Sequence, residues 1–122
     1  MRMALRVLVG LAGLLFVFLG LQFWLNPAAL AGKLGVSPVG ELGLATIRAD
    51  MAAFFGVGGG FALAAAFRGE RKLLTTPLVL VAVALVGRVV TVAVSGLSPE
   101  MVQPMVVEAV LVGLFGLARQ RL

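Results

Sequence analysis

The sequence predicts an all-α protein, a transmembrane four-helix bundle with both termini on the cytoplasmic side. Of its 122 residues, 61% are hydrophobic and only 12% are charged, whereas about half of an ordinary soluble domain is apolar. The apolar residues form four runs, each long enough to cross the hydrocarbon core of a bilayer. The basic residues gather at alternate ends of these runs, as is typical of multi-pass membrane proteins.

The predicted spans cover residues 7–25, 42–67, 75–97 and 99–118 of a single membrane domain, residues 1–122. Asn26-Pro27 ends the first span, because the residue before a proline resists helical geometry. The stretch from Pro27 to Leu34 is predicted to form a short interfacial helix in the outer loop. Strands are a poor alternative, because the runs are too long and lack alternation of apolar and polar residues.

The fourth span has a clear starting signal. Ser98 is a suitable N-cap, Pro99 suits the first helical position, and Glu100 places an acid beside the positive end of the helix dipole. Pro104 either opens the apolar segment or lies inside it, where it would kink the helix.

The basic residues predict the orientation. Seven flank the spans on one side, whereas Lys33 alone flanks them on the other. The seven are Arg2, Arg6, Arg68, Arg71, Lys72, Arg119 and Arg121. This bias predicts cytoplasmic termini and argues against a dual-topology dimer. A cleaved signal peptide is the competing interpretation of the first span, but an apolar run of about 19 residues exceeds the usual 7–15.

Four charged residues fall inside the spans: Arg48, Asp50, Arg88 and Glu108. Each would cost roughly 2.5–3.5 kcal/mol facing lipid near the bilayer centre. Two cations and two anions can offset one another if they meet at a shared depth. We therefore expect Arg88 to pair with Glu108, and Asp50 to join one of the arginines.

Polar neighbours extend this predicted cluster. Thr46, Thr91 and Gln103 are expected to complete its hydrogen bonds or to line a wet pocket open to the outside. Two interpretations remain open. The ion pairs either set the helix register, as buried pairs can, or bind a polar group or an ion, since intramembrane charges are functional candidates.

Small residues predict where the helices pack. Lipid provides no hydrophobic drive for helix association, so closely packed small residues matter. Ala52, Gly56, Gly60 and Ala64 recur every four residues in the second span. We expect this row to face the inside of the bundle.

Several classes of function are disfavoured by composition. The chain has no cysteine and no histidine, which removes thiol redox chemistry and the commonest transition-metal ligands. Its net charge of +5 comes without a basic stripe interleaved with aromatic residues, so nucleic acid is not an expected partner. No spacing matches a catalytic template, and neither a catalytic residue nor a cofactor or metal site is predicted.

Three segments, RADMAAFFGVGGG, GRVVTVAVSG and VVEAVL, follow one another in the second, third and fourth spans. Together they resemble the bacterial four-helix membrane family known as domain of unknown function 4345, over Leu8 to Leu117. The resemblance implies a bacterial inner-membrane protein and implies no activity. It marks four residues as typical of the family: Arg48, Gly87, Arg88 and Glu108. The chain is more loosely similar to DoxX-like four-helix proteins, which implies a redox-accessory role that would here operate without thiols.

The leading hypothesis is that the protein binds or transports a small ligand or an ion through the charged cluster. The ligand-binding set predicted from the sequence is Thr46, Arg48, Asp50, Arg88, Thr91, Gln103 and Glu108. The expected partners are the lipid bilayer and a small anionic or amphipathic ligand, with a homo-oligomer or a larger membrane complex as further candidates. The alternatives are an accessory subunit with purely structural ion pairs and a membrane enzyme acting on a lipid-like substrate, the sequence favouring a non-enzymatic role.

Overall fold

A computed structural model describes all 122 residues, and its regular structure is entirely helical. The α-helices are α1 (Arg2–Leu25), α2 (Pro27–Lys33), α3 (Gly40–Arg68), α4 (Thr75–Ser95) and α5 (Pro99–Arg121), with a 3-10 turn over Arg71–Leu74 before α4. The segments Arg2–Leu25, Gly40–Arg68, Arg71–Ser95 and Pro99–Arg121 are long and apolar enough to cross a membrane. The predicted four-helix transmembrane fold is therefore confirmed.

The local sequence explains the helix boundaries. Asn26 separates α1 from α2, which begins at Pro27 as predicted. Gly69 ends α3 in the left-handed conformation, at φ 68°, a common helix stop because glycine lacks the Cβ that disfavours it. Pro104 lies inside α5, which continues through it.

Helices α1 and α3 pack with their backbones in direct contact. A Cβ added to Gly59 would lie 2.6 Å from the carbonyl oxygen of Gly13 and 2.7 Å from the amide nitrogen of Val17. At Gly20, an added Cβ would come within 3.0 Å of the Gly56 nitrogen. Glycine at these crossing points is what lets the two helices approach so closely.

The small residues of α3 that face α1 differ from the predicted row. An added Cβ at Gly60 or Gly56 would meet no atom of a neighbouring helix, and Gly60 is exposed. The buried small residues are instead Ala52, Gly58, Gly59, Ala62, Ala65 and Ala66. Four-residue steps drift around a helix of 3.6 residues per turn, whereas alternating steps of three and four stay on one face. The row that begins at Ala52 therefore continues to Gly59, Ala62 and Ala66.

The buried residues form two clusters at opposite ends of the bundle. The larger one joins all four long helices and contains Val9, Ala62, Leu74, Val81 and Phe115. The smaller one contains Phe23, Ala31, Ile47 and Ala52, which come from α1, α2 and α3 alone. Helices α4 and α5 are thus anchored to α1 and α3 at one end only. We call this the basic end, because it carries the seven basic residues that flank the spans on the N-terminal side.

Candidate functional site

A cavity of about 930 Å³ lies between the α1–α3 pair and the α4–α5 pair. It opens at the end of the bundle that holds the smaller core cluster, to which α4 and α5 contribute no residue. Aromatic and aliphatic side chains form most of its wall, among them Leu15, Phe16, Leu19, Phe54, Phe55 and Leu111. The polar side chains on its wall are Lys33, Arg88, Glu100, Gln103 and Glu108. The cavity is therefore amphipathic, with a mainly apolar wall and a small number of charged groups.

The aromatic part of the wall is well ordered by packing between α1 and α3. The ring of Phe55 lies edge-on to Phe16, with centroids 5.0 Å apart, and stacks on Phe23 at 5.6 Å. Phe54 meets Phe55 edge-on at 5.0 Å. Such edge-to-face and offset contacts restrict the rings, so this side of the cavity is preformed.

The charged part of the wall is centred on Arg88 of α4 and Glu108 of α5. The Arg88 Nε donates a hydrogen bond to the Glu108 Oε1 at 2.8 Å, and this is the only salt bridge in the structure. The side chains are 33% and 15% exposed. The pair is placed as the sequence predicted, and it links the two helices that have few other buried contacts.

The guanidinium of Arg88 is only partly engaged. Its two terminal amino groups, Nη1 and Nη2, donate no hydrogen bond to the protein. A guanidinium presents its N–H groups in a planar fork that matches the two oxygens of a carboxylate or a phosphate. Arg88 can therefore keep Glu108 at Nε and bind a second anion at its terminal groups.

Arg48 and Asp50 do not join this pair. Arg48 is exposed and its Nε donates to the carbonyl oxygen of Trp24 at 3.2 Å. Asp50 is exposed and makes neither a salt bridge nor a side-chain hydrogen bond. The predicted pairing of Asp50 with an arginine is wrong.

The reason is the length of α3, whose 29 residues extend for about 43 Å, more than the roughly 30 Å of a hydrocarbon core. Measured from the basic end of its own helix, Arg88 and Glu108 each lie about 20 Å along. Asp50 and Arg48 lie about 27 Å and 30 Å along α3. The four charges therefore do not share one depth. Arg48 and Asp50 lie closer to the opposite end of the bundle than Arg88 and Glu108 do.

The other predicted polar residues divide in the same way. Gln103 lines the cavity. Thr46 donates its hydroxyl to the carbonyl oxygen of Leu42 at 2.9 Å, and Thr91 to that of Gly87 at 3.1 Å. Both threonines are exposed and satisfied by their own helix, one turn back. Three of the predicted residues, Arg88, Gln103 and Glu108, thus meet in the cavity, whereas Thr46, Arg48, Asp50 and Thr91 lie elsewhere.

Sequence reasoning missed two charged residues of the cavity wall, Lys33 and Glu100. Both were explained by local roles, Lys33 as a loop residue and Glu100 as a first-turn acid. The aromatic wall was missed too, although Phe54 and Phe55 lie in the same helix between Asp50 and the glycines that contact α1. A helical projection of the second span would have placed Phe55 on the same face as Ala52 and Gly59.

The family model described as a domain of unknown function, DUF4345, matches residues 4–119. No curated protein and no solved structure matches the chain. The match spans all four long helices and includes the residues of the cavity.

Proposed function

The chain belongs to the DUF4345 family, and we propose that it is a membrane protein that binds a small amphipathic molecule in the cavity. The anionic or polar group of that molecule contacts the terminal amino groups of Arg88, and its apolar part lies against Phe16, Phe54 and Phe55. One observation carries the proposal: the only ion pair of the protein lies in the wall of its large cavity, with both terminal amino groups of the guanidinium unused.

The size and composition of the cavity support a small ligand. Pockets for small molecules commonly measure about 300–1,000 Å³ and combine an apolar lining with a few placed polar groups. This cavity, at about 930 Å³, has 11 hydrophobic residues among the 19 that line it. An amphipathic molecule satisfies both parts of the wall, whereas a bare ion would leave the aromatic part unused.

The packing favours binding over passage through the bundle. Leu74 and Phe115 are fully buried at the basic end, and they belong to the core cluster that joins all four long helices. This cluster closes the cavity towards the basic end. The ligand therefore enters and leaves at the opposite end, or laterally from the bilayer.

We place the protein in the bacterial inner membrane with the basic end in the cytoplasm. The seven basic residues at that end face only Lys33 and Arg48 at the other, the bias that orients multi-pass proteins. Fusions of alkaline phosphatase and of green fluorescent protein after Leu122 test this. A fluorescent, phosphatase-inactive fusion is expected, and the reverse pattern would overturn the orientation.

A photoactivatable palmitate analogue tests the binding site in nanodiscs. We expect crosslinks at Phe54, Phe55 and Leu111, and a loss of at least fivefold in Arg88→Gln, which removes the cation. Arg48→Gln is the matched control, because it removes the same charge from a residue that lies outside the cavity. Labelling that is unchanged in Arg88→Gln, or equal on the outward-facing valines of α4, would contradict the proposal.

A steric pair of variants separates a cavity from general lipid contact. Val107 lines the cavity and is 49% exposed, whereas its neighbour Val106 is 55% exposed and does not line it. Val107→Trp should reduce crosslinking because the indole fills the space, and Val106→Trp should leave it unchanged. Equal effects of the two would count against an internal site.

The sparse packing of α4 favours a second candidate, an accessory subunit of a larger membrane complex. Only Pro77 and Val81 are buried in α4, so the helix is available to a partner helix, and Arg88–Glu108 would then be purely structural. Exchanging the pair, Arg88→Glu with Glu108→Arg, distinguishes the two. Restored folding with lost crosslinking supports ligand binding, whereas restored folding with no site-specific crosslinking in either the exchanged variant or the parent supports the structural role.

A further inference from the structure

The basic end carries a concentration of positive charge that the cavity does not use. Seven basic residues surround the ends of the long helices there, whereas Glu70 is the one acidic side chain in the connection between α3 and α4. They are Arg2, Arg6, Arg68, Arg71, Lys72, Arg119 and Arg121. The salt bridge between Arg88 and Glu108 lies elsewhere, and none of the seven basic residues pairs with a side-chain carboxylate.

Hydrogen bonds to oxygens of the chain hold four of the arginines in place. Arg6 donates to the carbonyl oxygens of Ala66 and Phe67 at 2.8 and 3.0 Å. Arg2, Arg71 and Arg119 donate to Leu122 O, Gln120 O and Thr75 Oγ1 at 3.0, 3.1 and 2.7 Å. The acceptors of Arg6, Arg71 and Arg119 are neutral carbonyl or hydroxyl oxygens, so the bonds fix these three side chains while leaving their charge available. The basic end is therefore a preorganised array of cations.

A pocket of about 280 Å³ lies within this array. It is lined by Gly69, Glu70, Arg71, Lys72 and Leu122. The left-handed turn at Gly69 carries the chain from α3 into the 3-10 turn and so places Arg71 and Lys72 side by side at the pocket. The side chain of Lys72 donates no hydrogen bond within the protein and is free to meet an anion.

We infer that this pocket binds the phosphate of an acidic phospholipid, with Arg71 and Lys72 as its cationic contacts. Basic pockets between membrane-spanning helices bind anionic headgroups where the helices meet the membrane surface. The pocket lies at the junction of two spans, and Phe67, two residues before Gly69 in the last turn of α3, is 80% exposed. An exposed phenyl ring at the end of the adjoining helix suits a lipid, whose acyl chain follows its headgroup. This site is independent of the cavity.

The test is native mass spectrometry of the detergent-solubilised full chain with phosphatidylglycerol and with phosphatidylcholine. We expect retention of phosphatidylglycerol over phosphatidylcholine, and a preference that falls as salt rises. Each lost cation near a membrane surface weakens such binding by about fivefold. Lys72→Gln should show that loss, Arg71→Gln/Lys72→Gln a larger one, and Glu70→Gln a gain because it removes the opposing charge.

The controls keep the outcome interpretable. Arg48→Gln removes one positive charge at the other end and should change retention less than twofold. Lys72→Gln is the decisive variant because Lys72 makes no contact on which folding depends, whereas Arg71 bonds α5. Equal retention of both lipids, or an effect of Arg48→Gln equal to that of Lys72→Gln, would overturn the inference. Displacement of the lipid by inorganic phosphate alone would assign the site to a free anion and overturn its assignment to lipid.

Discussion

The α1–α3 pair and the α4–α5 pair are joined in different ways. Gly13 and Gly59 bring the backbones of α1 and α3 into contact, so that no side chain separates them. Between α4 and α5, the Arg88–Glu108 hydrogen bond spans the gap, and most apolar side chains of α4 point outward. Without water to drive association, close packing holds the first pair. The α4–α5 pair depends more on one polar contact. The cavity lies between these two helix pairs.

The largest effect is expected where the backbones touch. Gly59→Ala forces a Cβ against the Gly13 carbonyl and the Val17 amide, and overpacking of this kind costs about 1–3 kcal/mol. Gly60→Ala is the matched control, because an added Cβ there meets nothing. Thermal unfolding in detergent should show a clear decrease for Gly59→Ala alone. Similar melting temperatures for both would mean that α1 and α3 are not packed as described.

The next largest effect is expected at the ion pair. Glu108→Ala leaves Arg88 without its acceptor, and since the pair is only partly buried we expect a loss of about 1–2 kcal/mol. A double-mutant cycle with Arg88→Ala isolates the coupling between the two side chains. If the two losses simply add, the pair does not hold α4 to α5.

A smaller effect separates the two faces of α4. Val81 is 1% exposed and belongs to the core cluster, whereas Val83 is 64% exposed. Val81→Ala should lower stability by about 1 kcal/mol, because it leaves a small void. Val83→Ala should change it little, since a lipid-facing side chain loses no packing partner. Equal effects in thermal unfolding would indicate that a partner covers the outward face of α4.

The smallest effect is expected at glycines that face open space, and it has the opposite sign. Gly87 and Gly113 would each accept a Cβ without meeting an atom, and alanine is the better helix former by about 0.5–1 kcal/mol. Both Gly→Ala variants should be slightly stabilised as monomers. Size-exclusion chromatography gives the complementary result, because loss of an oligomer in Gly113→Ala would reveal an interface at that surface.

The sequence predicted the features that depend on one helix better than those that depend on how the two helix pairs are arranged. Hydropathy and the Pro27 and Pro99 signals are local, so they predicted the helices and the start of α2 correctly. The Arg88–Glu108 pair was predictable because both helices have nearly the same length between the charge and the basic end. Asp50 was placed wrongly because its helix exceeds the membrane thickness, so that its position along the span does not indicate its depth relative to Arg88 and Glu108. The cavity depends on how α4 and α5 separate from α1 and α3, which no single span encodes.

The unequal helix lengths have a consequence for the surrounding lipid. Helix α4, with 21 residues, extends about 32 Å and just matches an average hydrocarbon core, whereas α3 has surplus length that a bilayer accommodates by tilt. In a thicker membrane α3 can stand upright, but α4 draws its polar ends inward. Because these helices contribute to different walls of one cavity, we expect the width of its mouth to change with bilayer thickness.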